Sequence, residues 1–220
     1  MFQTWSNSAY TDSIMRHTVL FSLFLLTHSL DSNDSAMQAF YFDCFPGWTK
    51  IERKSHSICV KVFAGSLTWN DAQSECKMNY GALMGIDSLN ELQIVSELAA
   101  KAIQSLGRKN GGIWLGAKRK EFCIGNNATL DACKPYKTAS FYWTDLMTTG
   151  IAGFNFPRNQ PDNIGNNQNC VYVYAGEPAT DQFQLNSPTE MDDAACDYVY
   201  NSKINDARSI MGFACAYRAP

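Results

Sequence analysis

Apolar residues recur at helical spacing in two segments of the first half of the chain. Thr68, followed three residues later by Asp71, predicts the N-terminal cap of one helix, which we expect to stop at Gly81. Ser88 and Gly107 bound the second segment, where apolar side chains recur at positions 92, 95, 98, 99, 102, 103 and 106. Both apolar faces are expected to pack into the core, so neither helix is a candidate ligand site.

The pattern changes after residue 112 to short apolar runs separated by Gly, Asn, Asp and Pro. Four of these runs, at 113–116, 141–143, 171–174 and 212–215, are typical of strands. Helices followed by strands with long connections indicate an α+β fold. Most of the segment 141–196 reads as irregular, and a loop region of that length in a compact domain is usually functional or disordered.

An apolar run at positions 19–26 follows Arg16 and His17 and precedes a polar stretch at 31–35. This is the order of a secretory signal peptide, and the run is shorter than the about 20 apolar residues that span a bilayer. The alternative is a buried helix of the fold. We expect residues 1–36 to be a signal region, with 1–14 an upstream extension if translation starts at Met15, and one secreted domain over 37–220.

Composition agrees with a single secreted domain and excludes some partners. The chain has 220 residues, 45% of them hydrophobic, and 18 basic against 21 acidic side chains give a net charge of -3. That balance indicates no nucleic-acid partner. Eight cysteines, an even number, predict disulfides in an extracellular protein. Since none of them forms a C-x-x-C pair, zinc-ribbon and thioredoxin-type sites are not expected.

Histidine usage argues against most enzyme classes. Of the three histidines, two lie in the expected signal region and only His56 would remain in the secreted chain. A His-rich zinc site is excluded on this basis, and a Ser–His–Asp triad would depend on that one residue. Two-carboxylate hydrolysis needs no histidine, but no particular acidic pair suggests it. We therefore expect a binding protein rather than an enzyme.

One tripeptide, Gln160-Pro161-Asp162, carries the strongest sign of a binding site. It places an amide and a carboxylate on either side of a proline, ten residues before Cys170. Oxygen ligands on a stiff loop suit Ca²⁺, which takes six to eight of them. Proline here is compatible with a cis peptide bond in a tight turn.

Several motifs, in this order along the chain, resemble a C-type lectin-like domain. They are Cys44-Phe-Pro-Gly-Trp48 with Cys59, the helix segment 68–76, Ile113-Trp-Leu-Gly116, Phe141-Tyr-Trp-Thr-Asp145, Gln160-Pro161-Asp162, Asn169-Cys170-Val171 and Phe213-Ala-Cys215. The resemblance covers residues 44–217 and implies the long form of the family. It implies two helices packed on small antiparallel sheets with a long irregular loop region, stapled by disulfides.

The resemblance also implies how the cysteines pair. The family pattern gives Cys44–Cys59, Cys76–Cys215 and Cys170–Cys196, which leaves Cys123 and Cys133 to form a local bridge. The sequon Asn127-Ala-Thr129 lies between the last two and predicts an exposed, glycosylated Asn127.

In sugar-binding members of the family, a Gln-Pro-Asp or Glu-Pro-Asn triplet, a later Glu and an Asn-Asp pair bind Ca²⁺ and two sugar hydroxyls. The resemblance thus implies a Ca²⁺ ligand set of Gln160, Asp162, Gln168, Asp192 and Asp193. The first four of these would also contact a galactose-type sugar. Gln168 replaces the family's Glu, and Met191-Asp192-Asp193 replaces its Trp-Asn-Asp, so that three acids remain and Ca²⁺ binding is still expected.

Two alternatives stay open at this point. A competing alignment uses Asn205-Asp206 in place of Asp192 and Asp193, but retains only two acids. The second alternative concerns function, since a Ca²⁺-independent module of the same fold would recognise a protein through the same surface. The expectation is therefore a secreted lectin with a glycan or glycoprotein ligand, and the alternative is a protein-recognition module.

Overall fold

The computed structural model describes residues 44–133, 139–180, 185–199 and 208–220. The expected signal region and the competing pair Asn205-Asp206 lie outside these ranges. Within them the chain forms two α-helices, α1 (Trp69–Met78) and α2 (Leu89–Ser105). The strands are β1 (Thr49–Glu52), β2 (Ser57–Ala64), β3 (Ala82–Leu83), β4 (Asn110–Arg119), β5 (Phe141–Trp143), β6 (Cys170–Gly176), β7 (Ala179–Thr180), β8 (Leu185–Asn186), β9 (Met191–Ala194) and β10 (Ile210–Arg218).

Both helices begin where the capping residues predict. Thr68 accepts a hydrogen bond from the backbone N–H of Asp71, and Ser88 accepts one from Glu91. Each bond satisfies one of the N–H groups that the first turn of a helix leaves without a partner. No helix in the described ranges is long and apolar enough to cross a membrane.

We expected α1 to stop at Gly81 because of the glycine, and this expectation was wrong both in the position of the helix end and in the role of Gly81. The helix ends at Met78, and Tyr80 takes the left-handed backbone conformation with φ of 63°. Gly81 serves packing instead, because a Cβ there would lie 2.5 Å from the carbonyl oxygen of Ala216. The glycine lets the chain after α1 approach the last strand closely.

Eight strands form one sheet whose main path runs β1-β2-β10-β4-β6-β9, with β3 on β10 and β5 on β4. The sheet is mixed rather than purely antiparallel, since β10 runs parallel to β4. Parallel neighbours need a long connection rather than a hairpin. Almost a hundred residues separate these two strands, and hydrophobic spacing along the chain gave no sign of their pairing.

The central strands are buried on both faces, which divides the core into two clusters. In β4, Ile113 and Leu115 pack with the apolar stripe of α2, whereas Trp114 faces the cluster that contains Trp69 and Cys76 of α1. Alternate strand residues point to opposite faces, so each helix covers one side of the sheet. The α+β C-type lectin-like fold expected from the sequence is confirmed.

All eight cysteines are paired, in the four bridges Cys44–Cys59, Cys76–Cys215, Cys123–Cys133 and Cys170–Cys196. The pair Cys76–Cys215 joins α1 to the last strand across 139 residues of sequence. A cross-link that closes so long a loop removes much conformational freedom from the unfolded chain, worth about 4–5 kcal/mol in the chain-entropy model.

Candidate functional site

We use the term long loop for residues 144–169, which connect β5 to β6. The bridge Cys170–Cys196 joins the start of β6 to the residues just after β9, at the end of this loop. Strands β6 and β9 pair side by side, with Val171 opposite Asp193 and Tyr172 opposite Asp192. This pairing places the two aspartates beside the end of the long loop.

The Gln-Pro-Asp tripeptide forms a tight turn in the long loop. The Gln160–Pro161 peptide bond is cis. Gln160 is buried and its Nε2 donates to the carboxylate of Asp162 at 3.3 Å, while Oε1 of Gln160 is buried without a hydrogen-bond partner in the described structure. Asp162 is exposed and accepts a further bond from the N–H of Ile164. These two side chains therefore lie together.

The carboxylate of Asp193 holds the turn by binding the main chain of the turn. One carboxylate oxygen accepts the N–H of Asp162 at 3.0 Å, and the other accepts the N–H of Asn163 at 3.1 Å. Asn163 adopts a left-handed conformation with φ of 50°, which asparagine tolerates better than most residues. Its side chain donates to Gly125 between Cys123 and Cys133, so the local bridge supports this turn.

The charge of Asp193 is neutralised by Arg119, at the end of β4. Nη2 of Arg119 donates to Oδ2 of Asp193 at 2.6 Å, and the two side chains are only 1% and 0% exposed. Arg119 also donates through Nε to the carbonyl oxygen of Gln168 at 3.0 Å and lies 4.5 Å over the ring of Phe141. One guanidinium thus anchors both Asp193 and the end of the long loop.

Burial shifts the ionisation of this pair. It raises the pKa of Asp193 to about 6, although Arg119 and the two backbone N–H groups favour the charged carboxylate. Burial also lowers the pKa of Arg119, and the charge of Asp193 opposes that shift. We take the paired, charged form as the state near neutral pH, because three hydrogen bonds converge on the carboxylate.

Asp192 is directed to other partners than its neighbour. Its carboxylate accepts a hydrogen bond from the hydroxyl of Tyr172 at 3.1 Å and lies 3.8 Å from Nη1 of Arg208. Burial, followed by the nearby charge of Asp193, raises the pKa of Asp192 to about 8. A cavity of about 450 Å³ opens beside it, and its other walls include Ile164 and Tyr198.

The chain is similar to known proteins of one family. The model of a family described as C-type lectin domain-containing protein 141/158 matches residues 49–217. The chain belongs to this C-type lectin family. Among curated relatives, Snaclec A1 and Snaclec A8 of Macrovipera lebetinus are 37% and 38% identical over 81 and 78 residues, covering 36% and 34% of this chain. The chain spans about half the length of these relatives, 49% and 56%.

Two solved C-type lectin structures share the fold at low identity. The carbohydrate-recognition domain of cow CD23, in the presence of a GlcNAc2Man3 oligosaccharide, has a TM-score of 0.52 and 17% identity, and the match covers 81% of this chain and 98% of that one. A calcium-independent type II antifreeze protein has a TM-score of 0.50 and 20% identity, over 81% and 97%. At these identities the likeness shows the fold alone.

For this C-type lectin-like domain, the predicted ligand set is only partly brought together. Gln160 and Asp162 lie side by side, and the carboxylate of Asp193 accepts the main-chain N–H of Asp162. Gln168 uses Oε1 to accept the N–H of Ile164 at 2.7 Å. The sugar-contact role predicted for these residues and for Asp192 stays a prediction.

The donor set does not fit one Ca²⁺ ion. Both oxygens of Asp193 already accept hydrogen bonds, and the Arg119 guanidinium supplies the positive charge that the ion would bring. No group of three acidic, histidine or cysteine side chains in the described ranges could hold a metal ion. Within the predicted ligand set, the unpartnered oxygen of Gln160 and the exposed carboxylate of Asp162 are the groups that suit a cation.

Sequence reasoning missed Arg119, and one signal could have found it. Residues 113, 115, 117 and 119 alternate along β4, and the first three are apolar and buried. An arginine in phase with buried positions requires a partner of opposite charge. The sequence gives no means of naming Asp193 as that partner, since 74 residues separate the two.

Proposed function

We propose that this C-type lectin-like domain is a secreted recognition module that binds a protein ligand without Ca²⁺. The observation that carries the proposal is the buried ion pair between Arg119 and Asp193, 2.6 Å apart. The guanidinium of Arg119 supplies the positive charge that holds the loop, so a bound cation is not needed for this purpose. The recognition surface is then formed without an ion, because its anchor is part of the chain.

The proposed contact surface is the cavity beside the end of the long loop. Its lining combines the aromatic ring of Tyr172, the neighbouring side chains of Asp192 and Arg208, and the exposed apolar side chain of Ile164. Aromatic and arginine side chains are enriched where proteins bind one another. A basic or hydroxyl-bearing side chain of a protein ligand would match the carboxylate of Asp192.

A secreted protein is supported by the state of its cysteines. All eight are paired, and disulfides persist in oxidising compartments. Asn127, in the predicted sequon, is exposed and therefore accessible to glycosylation. We assign no catalytic residue, in keeping with a family of binding modules.

Ca²⁺-dependent sugar binding is the second candidate, and one observation favours it. Oε1 of Gln160 is buried without a partner next to the carboxylate of Asp162, and such an oxygen is a suitable ligand for a hard cation. In that case Ca²⁺ would bind at the Gln160 and Asp162 oxygens, and the Arg119–Asp193 pair would have to open for the remaining ligands.

Calorimetry with Ca²⁺ separates the two candidates. We expect no binding heat when millimolar Ca²⁺ is added to the metal-free protein, and no retention on a galactose resin that chelator abolishes. Arg119→Met should create Ca²⁺ binding, because the ion can then neutralise Asp193. Lys118→Met, one residue earlier on the same strand, is the matched control. Saturable Ca²⁺ heat in the wild type, lost in Asp162→Asn, would favour the second candidate.

A further inference from the structure

Strand β2 extends beyond its neighbour at the edge of the large sheet. Strand β1 pairs with residues 57–60 of β2, and its register ends at Thr49 opposite Val60. On its other side β2 pairs with β10 along residues 58–64. Within the part of the chain that the structure describes, no strand covers residues 61–64 of β2 on the β1 side.

The hydrogen-bonding pattern shows which backbone groups face this open edge. The N–H of Gly65 donates to the carbonyl of Met211 in β10, so the odd-numbered residues of β2 form their bonds with β10. Alternate residues of an antiparallel strand direct their N–H and C=O groups to opposite sides. The backbone groups of Val62 and Ala64 therefore point outward, to where a further strand would pair.

A groove of about 430 Å³ runs beside this edge, between β2 and α2. Its apolar wall includes Val62, Leu98 and Ala102, and its charged lining residues are Lys61 and Lys101. No acidic side chain lines it. The groove is therefore positively charged in a chain whose net charge is -3.

We propose that this edge binds an acidic peptide segment of a partner protein in extended conformation. The segment would add as a strand beside residues 61–64, forming backbone hydrogen bonds with Val62 and Ala64. Alternate side chains of an added strand point to opposite faces. On the face of the groove, apolar and acidic side chains would meet the groove wall and Lys101, and on the other face acidic side chains would meet Lys61, which lies over the ring of Phe63. This strand-addition site, residues 61–64 with the groove, lies at the end of the sheet opposite β9.

Its position makes the proposal independent of the function assigned to the long loop. The sheet path places β10, β4 and β6 between β2 and β9. Loss of ligand binding at Asp192 would leave the strand-addition site intact, and the reverse also holds.

The test is a fluorescence-anisotropy titration of the full chain with a labelled eight-residue peptide, Glu-Glu-Val-Val repeated twice, which presents both residue types on each face of a strand. We expect saturable binding that weakens with added salt. Lys101→Glu and Lys61→Glu should each weaken it at least about fivefold, as expected from opposite charges near a partly exposed site. Lys77→Glu, an exposed lysine on α1, is the matched control and should leave binding unchanged.

Val62→Pro tests the backbone contribution, because proline removes the outward N–H and obstructs pairing. It should abolish binding, and its circular dichroism spectrum shows whether the fold is retained; the lysine variants decide the matter if it is not. Equal binding of the same peptide with Lys in place of Glu would overturn the proposal. So would a dimer of this chain that Val62→Pro dissociates, or an amide cross-link from Lys101 to residues 31–43 of the same chain, because another occupant would then cover the edge.

Discussion

The two ends of the long loop are each held by a buried arginine and carboxylate, but in different ways. Near the start, Arg53 forms two hydrogen bonds with the carboxylate of Glu91, one of them 2.9 Å long, and its remaining donors reach Gly85 and Thr148. Near the end, Arg119 forms one bond to Asp193 and one to a backbone carbonyl. The pair Arg53–Glu91 is therefore bidentate, whereas the pair Arg119–Asp193 is held by a single hydrogen bond.

The partners of the two carboxylates explain the difference in role. Glu91 belongs to the first turn of α2, so its pair fixes a loop to a helix inside the core. Asp193 instead accepts the N–H groups of Asp162 and Asn163, which directly precede Ile164 of the proposed ligand surface. The comparison indicates that the start of the loop is fixed for stability, and the end is fixed in a way that determines which surface a ligand meets.

Arg53→Met should produce the largest effect. It leaves Glu91 buried without its charged partner, and breaking a buried pair in this way costs about 3–5 kcal/mol. Urea unfolding measures the loss, and Lys54→Met, at an exposed neighbouring position, is the control. Added Ca²⁺ should not restore the stability of Arg53→Met. If it did, the two ends of the long loop would not differ in their response to a cation.

Arg119→Met should cost somewhat less, about 3 kcal/mol, because Asp193 keeps two backbone hydrogen bonds. Combining it with Asp193→Asn should cost less than Arg119→Met alone, since the unpaired charge is then removed. The measurement is a double-mutant cycle in urea, repeated with millimolar Ca²⁺. Ca²⁺ should stabilise Arg119→Met but not the double variant. Additive losses in the cycle would show that the two side chains are not coupled.

The dependence of stability on pH should come in part from Asp192. Burial raises its pKa from 3.8 to about 8, so the folded chain binds this proton more tightly than the unfolded chain. The stability that this group contributes is present below about pH 4 and is lost as pH rises to about 8. Asp193, with a pKa of about 6, contributes in the same direction only up to about pH 6.

Between pH 6 and 8 the loss of unfolding free energy should therefore be about 2 kcal/mol. Asp192→Asn should reduce it, because an amide does not titrate. Thermal unfolding of both proteins at the two pH values measures the difference, with Asp71→Asn on the exposed face of α1 as the control. A wild-type slope that survives Asp192→Asn would contradict the assignment.

Gln168→Glu should have the smallest effect, within about 0.5 kcal/mol of the wild-type unfolding free energy. A carboxylate can still accept the N–H of Ile164, the contact that Oε1 of Gln168 makes. The added charge should increase Ca²⁺ affinity and weaken sugar binding only if the second candidate function holds. With Ca²⁺-independent recognition, calorimetry should show no Ca²⁺ heat in this variant either.

Local signals in the sequence determined much of this protein. The caps at Thr68 and Ser88, the apolar stripe of α2 and the order of the motifs predicted the helices and the C-type lectin fold. Three of the four disulfides found in the structure are those that the family resemblance implied, and the fourth joins the two cysteines that the resemblance left over. Each of these features depends on residues close in sequence or on the order and spacing of motifs along the chain.

Only the tertiary structure decided how the candidate site is held. Arg119 and Asp193 are 74 residues apart and meet because their strands, β4 and β9, both pair with β6. The parallel pairing of β10 with β4 likewise follows from the closure of the sheet and from no short motif. A pair of charges becomes an anchor only when both are removed from water together, and burial is a property of the folded chain rather than of either residue.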